Sequence, residues 1–190
     1  MEHRGGRIFQ FARAARTARR RPAFTLVELL VVLAIIGLLL SILIPVVAAA
    51  RTRANGLTCK SQLRQIGQAV RMYLAENKDH YPLAPALPSV NPNGYPTLMA
   101  CLGKYLGNNP AIYHCPCDEQ LYLTEQTSYL YDAQLGTDPL EANVFYQVFQ
   151  SREYVPVALD AGNFHGAIQP FNCLFLDGRV EQVAAPKELQ

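Results

Sequence analysis

Residues 29–50 form a run of 22 positions without a charge, bounded by Glu28 and Arg51, in which only Gly37, Ser41 and Pro45 interrupt the apolar side chains. At ~1.5 Å of rise per residue, such a run makes roughly 33 Å of helix, close to the ~30 Å hydrocarbon core of a bilayer. A helix buried in a soluble domain rarely needs that length with every face apolar. The run therefore predicts a membrane-spanning helix, and whatever else the 190 residues build must hang from it.

Charge divides around this run. Residues 1–23 carry seven arginines against Glu2, or +6, whereas residues 24–190 carry ten Lys or Arg against fourteen Asp or Glu, or −4. Arginines that stop where the apolar run begins hold an N-terminus in the cytoplasm by the positive-inside rule; binding to nucleic acid or acidic lipid is the alternative for such a cluster. The acidic, Tyr-rich remainder is then expected outside. A secretory signal peptide shares the basic start, and Ala48-Ala49-Ala50 offers small residues for cleavage. Against it, the run exceeds the usual ~7–15 residue apolar centre, and Glu28 sits inside its leading edge. A carboxylate there costs a few kcal/mol unless it snorkels or finds a partner, which marks Glu28 as functional.

The basic leader ending at Ala23, then Phe24-Thr25-Leu26-Val27-Glu28-Leu29, then the long apolar helix, resembles the type IV prepilin family, which includes the pseudopilins of type II secretion systems. The resemblance implies that a prepilin peptidase cuts between Ala23 and Phe24 and that the new amino group of Phe24 is methylated. It places Glu28 at the family's near-invariant acidic position, and Gly37 and Pro45 where the family often carries a helix-breaking pair. One departure is Ala23, where the family usually has Gly. Ala adds one methyl at the cut.

The residues support an assembly role on their own terms. Cleavage frees a positive amine four residues before Glu28, and in a stack of subunits Glu28 pairs with the amine of a neighbour at low dielectric. Either charge alone is unfavourable there, so the pair sets the stagger between copies more than it adds stability. Pro45 removes a backbone hydrogen bond and crowds the preceding turn, which predicts a kink or a locally melted segment.

Beyond Arg51 the helix is expected to continue as an amphipathic rod. Cys59, Leu63, Ile66, Val70, Tyr73 and Leu74 recur at three- and four-residue spacing, with Lys60, Arg64, Arg71 and Glu76 off that stripe. Asn77 is the expected cap, giving a helix of roughly 50 residues and about 80 Å. Residues 59–67 resemble the start of the head in a subgroup of bacterial prepilin-like proteins. Dense Pro, Asn and Gly make 78–110 a packed loop with one short helix near 97–106. Strands are predicted at 127–132, 144–149, 155–159, 173–176 and 179–183, and Asp177-Gly178 suits a type I′ hairpin turn.

The expected fold class is thus α+β, pilin-like: a long N-terminal helix packed on a small antiparallel head of three to five strands. Its parts are a leader (1–23), a transmembrane half-helix (24–51), an amphipathic half-helix (52–78) and an extracytoplasmic head (79–190).

Candidate chemistry in the head is sparse. Five cysteines, Cys59, Cys101, Cys115, Cys117 and Cys173, allow two disulfides and one leftover thiol with no deducible pairing. Buried free thiols or a metal site are the alternatives. His114, Cys115, Cys117 and His165 are the candidate metal ligands, although their spacing is not a standard zinc pattern. His165 ahead of Asp177-Gly178 loosely resembles a C-terminal signature of the same prepilin-like subgroup, with eleven intervening residues in place of nine; a structural place in the loop 162–166 is expected for it. Asp118, Glu119, Asp132, Asp138 and Asp160 lack the alternation of a calcium loop. No phosphate loop, nucleophile elbow or metalloprotease helix occurs, and basic residues beyond Lys78 are too few for nucleic acid.

The reading that follows is a non-enzymatic structural subunit of a type IV pilus-like filament or type II secretion pseudopilus, without a cofactor. Its expected partners are the prepilin peptidase/methyltransferase, other pilin copies and the inner membrane, with the N-terminus cytoplasmic. A single-pass anchored ligand-binding protein that does not polymerise is the alternative.

Overall fold

A computed structural model describes residues 25–165 and 171–183. The leader, Ala23 and Phe24 lie outside the described residues. The dominant element is α1, Leu26–Glu76, 51 residues that stay helical through Gly37 and Pro45. The chain divides between Ile44 and Pro45 into two compact units.

In the first unit, α1 is apolar all round, and every described residue up to Ile44 is exposed. In the second unit, exposure persists through Ala54, and then Gly56, Cys59, Gln62, Leu63, Ile66, Gly67, Ala69 and Val70 become buried. Their spacing of three and four residues is that of one helix face. Tyr73 and Leu74 extend the stripe, half-buried. The helix stops where the backbone turns left-handed at Lys78 and Asp79 (φ 55° and 61°), with Asp79 N–H donating to Leu74 O and the Asn77 side chain to Tyr73 O.

Four antiparallel strands follow in sequential order: β1 (Tyr129–Tyr131), β2 (Pro156–Asp160), β3 (Phe171–Phe175) and β4 (Val180–Val183). Tyr129, Tyr131, Val157, Ala158 and Leu174 from the sheet meet Cys59, Leu63, Ile66 and Val70 from α1 in one core. Gly67 lets the layers touch, since a Cβ there would lie 2.8 Å from Leu174 Cδ1. The loop after α1 is packed as expected: Pro82, Ala84 and Pro85 are buried, and Ala86 O accepts from Tyr131 N–H. Its short helix is α2, Leu98–Leu102, capped by Thr97 Oγ1 and continued by a 3-10 turn at Gly103–Tyr105. Lys104 and the Tyr105 hydroxyl both bond Glu76, fastening this loop to the end of α1.

Two local expectations are corrected. Val144–Phe149, expected as a strand, is a helix, preceded by short helices at Leu121–Glu125 and Gln134–Thr137. Asn143 Oδ1 accepts from the N–H groups of Phe145 and Tyr146, and Gln150 closes the helix at φ 51°. That cap outweighs the β preference of two valines and two phenylalanines. The β3–β4 turn is not type I′, because only Gly178 has positive φ (87°). Gly178 N–H donates to Phe175 O, and Phe175 N–H to Arg179 O, a three-residue loop whose left-handed glycine makes a bulge. Gly178 also leaves room for the Arg71 side chain of α1, whose guanidinium a Cβ at this position would overlap.

Candidate functional site

Two places concentrate the residues singled out in the sequence. The first is the start of α1. Thr25 N–H and Oγ1–H both donate to Glu28 Oε2 at 2.8 Å, and Glu28 N–H donates back to Thr25 Oγ1 at 3.2 Å. This reciprocal pair is a capping box, legible in the sequence as Thr-x-x-Glu, and it gives Glu28 a local role beside the expected pairing with another copy. It satisfies N–H groups that the helix start leaves open. Both bonds to the carboxylate use the same oxygen, so Glu28 Oε1 has none among the described residues. Leu26, Val27, Leu29 and Leu30 beside it are more than half exposed, a surface suited to lipid or to other helices.

The second place lies in the head, where residues far apart in sequence converge. Cys59 of α1 is disulfide-bonded to Cys115, 56 positions away, while Cys101, Cys117 and Cys173 are free. Gln62, one turn on, fixes the same loop: its Nε2 donates to Ala111 O and His114 O, both at 2.9 Å, and its Oε1 accepts from Tyr129 Oη at 2.7 Å. Asp118 then locks the segment after Cys117, accepting from the N–H groups of Gln120, Leu121 and Tyr122 and from Ser128 Oγ.

Among the four candidate ligands the structure makes one exchange. His114 stacks on Tyr122 at 4.2 Å with Nε2 beside Asp118 O, and Cys59 takes its place in the group with Cys115, Cys117 and His165. The ligand atoms of those four all lie within 4.8 Å of one another. His165 is buried in the β2–β3 loop, with Nε2 3.1 Å from Asp160 Oδ2, 3.0 Å from Asn172 Nδ2 and 3.9 Å from Cys115 Sγ. The sequence carried no signal for Asn172, an interior polar residue of β3 that matters only because β2 and β3 pair. Asp177 does not join His165; it bonds Arg179. The acidic residues are dispersed, Asp132 holding Asn143 and Gln134 while Asp160 serves His165 and Asn172.

Burial sets the thiol chemistry. It raises the Cys117 thiol above the usual range, against a hydrogen bond with Asn55 that lowers it. The Cys173 thiol is pushed up to about 12, first by burial and then by the Asp160 charge. Free thiols so held are poor nucleophiles at neutral pH.

Comparison with known proteins places the resemblance at the first of these two sites. Residues 18–44 match the model of the prokaryotic N-terminal methylation motif. The type IV wide pilus major component PilA4 of Thermus thermophilus is 40% identical over 62 residues, which is 33% of this chain and 47% of that protein. The chain therefore spans about half the length of that curated relative. No solved structure matches.

Proposed function

We propose that this chain, a type IV pilin-like protein by its prepilin-type N-terminal methylation motif, is the structural subunit of a type IV pilus or type II secretion pseudopilus. One observation carries the reading. The motif runs into a helix start that is capped within the chain, and the apolar surface behind it is exposed on all sides among the described residues. Such a surface needs lipid while the subunit is stored and neighbouring helices once it is assembled.

In this mechanism the arginines of the leader keep the N-terminus in the cytoplasm, and a prepilin peptidase cuts between Ala23 and Phe24. The Phe24 amine, then methylated, lies next to the capping box. Glu28 holds Thr25 with Oε2 and offers Oε1 to the amine of an adjacent copy. Gly37 and Pro45 supply the place where the helix bends on packing, and the head faces outward.

Thr25 and Glu28 separate capping from charge. Glu28→Gln preserves the capping box, since Gln serves at that position, but removes the charge. Thr25→Val removes the cap and keeps the charge. With the processing machinery present, Glu28→Gln is expected to accumulate in the membrane and form no filaments, whereas Thr25→Val forms them at reduced yield. Filaments from Glu28→Gln at the parental level refute charge pairing, and a parental chain that is processed but forms no filaments favours an anchored binding protein. Mass spectrometry of the native N-terminus adds a direct readout: methylated Phe24 is expected, and an intact leader or a cut after Ala50 overturns the assignment.

A further inference from the structure

The head contains a constellation that filament assembly does not use. Cys59, Cys115, Cys117 and His165 come from α1, from the loop after the 3-10 turn Pro110–Tyr113, and from the β2–β3 loop. Three of the four are fully or almost fully buried. We propose that, when Cys59 and Cys115 are thiols, these four residues bind one zinc-class ion, and that closing the Cys59–Cys115 bond expels it.

The distances fit. Zinc bonds of about 2.3 Å to sulfur and about 2.0–2.1 Å to nitrogen, set tetrahedrally, put sulfurs roughly 3.8 Å apart and sulfur about 3.6 Å from nitrogen. Cys115 Sγ is already 3.9 Å from His165 Nε2, and no pair of ligand atoms exceeds 4.8 Å. Opening the disulfide and letting its two sulfurs separate by under ~2 Å reaches the tetrahedral set. A three-cysteine, one-histidine set is a standard one for structural zinc.

The second shell points the same way. His165 Nε2 can leave Asp160 for a metal without stranding that carboxylate, because Asp160 Oδ2 keeps two donors from Asn172, its N–H at 2.7 Å and its Nδ2 at 2.9 Å. Asp160 Oδ1, His165 Nδ1 and Asn172 Oδ1 are buried with no hydrogen-bond partner among the described residues. Interior polar atoms are seldom left so, and these three, one on the imidazole and two on its neighbours, mark a buried polar pocket around His165 with bonding capacity to spare among the described residues.

The redox step balances. A dithiol reductant gives two electrons and two protons to the Cys59–Cys115 bond, leaving two thiols and the reductant's own disulfide. Metal binding then releases the protons of Cys59, Cys115 and Cys117 to solvent. In the reverse direction a disulfide oxidant takes two electrons from Cys59 and Cys115, their bond re-forms, and only Cys117 and His165 remain for the ion. Two ligands in place of four release it.

The test uses the full chain in detergent, reduced by a phosphine and freed of reductant without oxygen, with cobalt(II) as the probe. One equivalent is expected to bind with tetrahedral visible bands and a thiolate charge-transfer band, to be displaced by zinc(II), and to be released in equal amount by a disulfide oxidant. Cys117→Ser, which keeps the disulfide, is expected to weaken binding at least about tenfold, a loss that even outer-shell changes produce. His114→Ala is expected to change nothing. No cobalt uptake by the folded, reduced chain overturns the proposal, as does uptake unaffected by Cys117→Ser. Should reduction unfold the head, cobalt is supplied during refolding of the reduced chain; failure to regain the near-UV circular dichroism signal together with the tetrahedral bands overturns it equally.

Discussion

The two ends of α1 obey the same helical geometry and present opposite surfaces. From Leu26 to Ile44 the side chains are apolar on every face and all exposed. From Gly56 to Val70 one stripe is buried against the sheet while Lys60, Arg64 and Arg71 stay off it. Backbone hydrogen bonding therefore does not distinguish the two stretches; the solvent each is patterned for does. An all-round apolar helix is matched to lipid, and a striped one to a protein core. The glycines repeat the contrast. Gly37 has nothing within 4 Å of where its Cβ would be, whereas at Gly67 that atom would press on Leu174.

The contrast can be broken first at Leu63, fully buried where α1 meets the sheet. Leu63→Ala is expected to destabilise the head by roughly 2–5 kcal/mol in denaturant unfolding and to leave membrane insertion intact. Leu38→Arg inverts that outcome: it is expected to disfavour insertion by roughly 3 kcal/mol, read by membrane fractionation, with the melting of the head unchanged. A comparable loss in both assays from either variant ends the division of labour. Smaller effects come from the glycines. Gly67→Ala overfills the contact with Leu174 and is expected to cost about 1–3 kcal/mol, while Gly37→Ala, with open space around it, changes stability by less than about 1 kcal/mol. If Gly37→Ala blocks assembly without altering stability, the helix needs its flexibility at that point, which sharpens the bending role proposed for Gly37 and Pro45.

The smallest effect is a pH dependence confined to the head. Burial raises the Cys173 thiol to about 12, so the folded state favours its protonated form. That contribution is complete below the ordinary thiol range and fades as pH climbs towards about 12. At mildly alkaline pH a small alkylating agent is expected to label Cys101 and Cys117, both half-buried, before Cys173. Simultaneous labelling of all three thiols contradicts the closed core drawn from β3.

Much of this was legible locally. The charge-free run from Leu29 to Ala50 gives a helix long and apolar enough to cross a membrane, and Cys59, Leu63, Ile66 and Val70 at helical spacing mark the face that meets the head. Thr25 and Glu28, three residues apart, spell a capping box in the sequence itself. Val144–Phe149 fits either period because five of its six residues are apolar or aromatic, and Asn143 before them is the deciding cue.

What the sequence determined by itself, then, is everything set by neighbours a few residues apart: the lipid-matched helix, its amphipathic continuation, the short helix after the loop, and four strands within a few residues of their observed ends. Tertiary structure alone decided which cysteine meets Cys59, that His165 rests on Asp160 and Asn172, and that His114 stacks on Tyr122 and stays out of the thiol cluster. Helical and strand periods act through adjacent turns and alternate faces, so a short window records them. The Cys59–Cys115 pairing spans 56 positions and exists only because Leu63, Ile66 and Gly67 bring α1 against the sheet, a juxtaposition that no local pattern encodes.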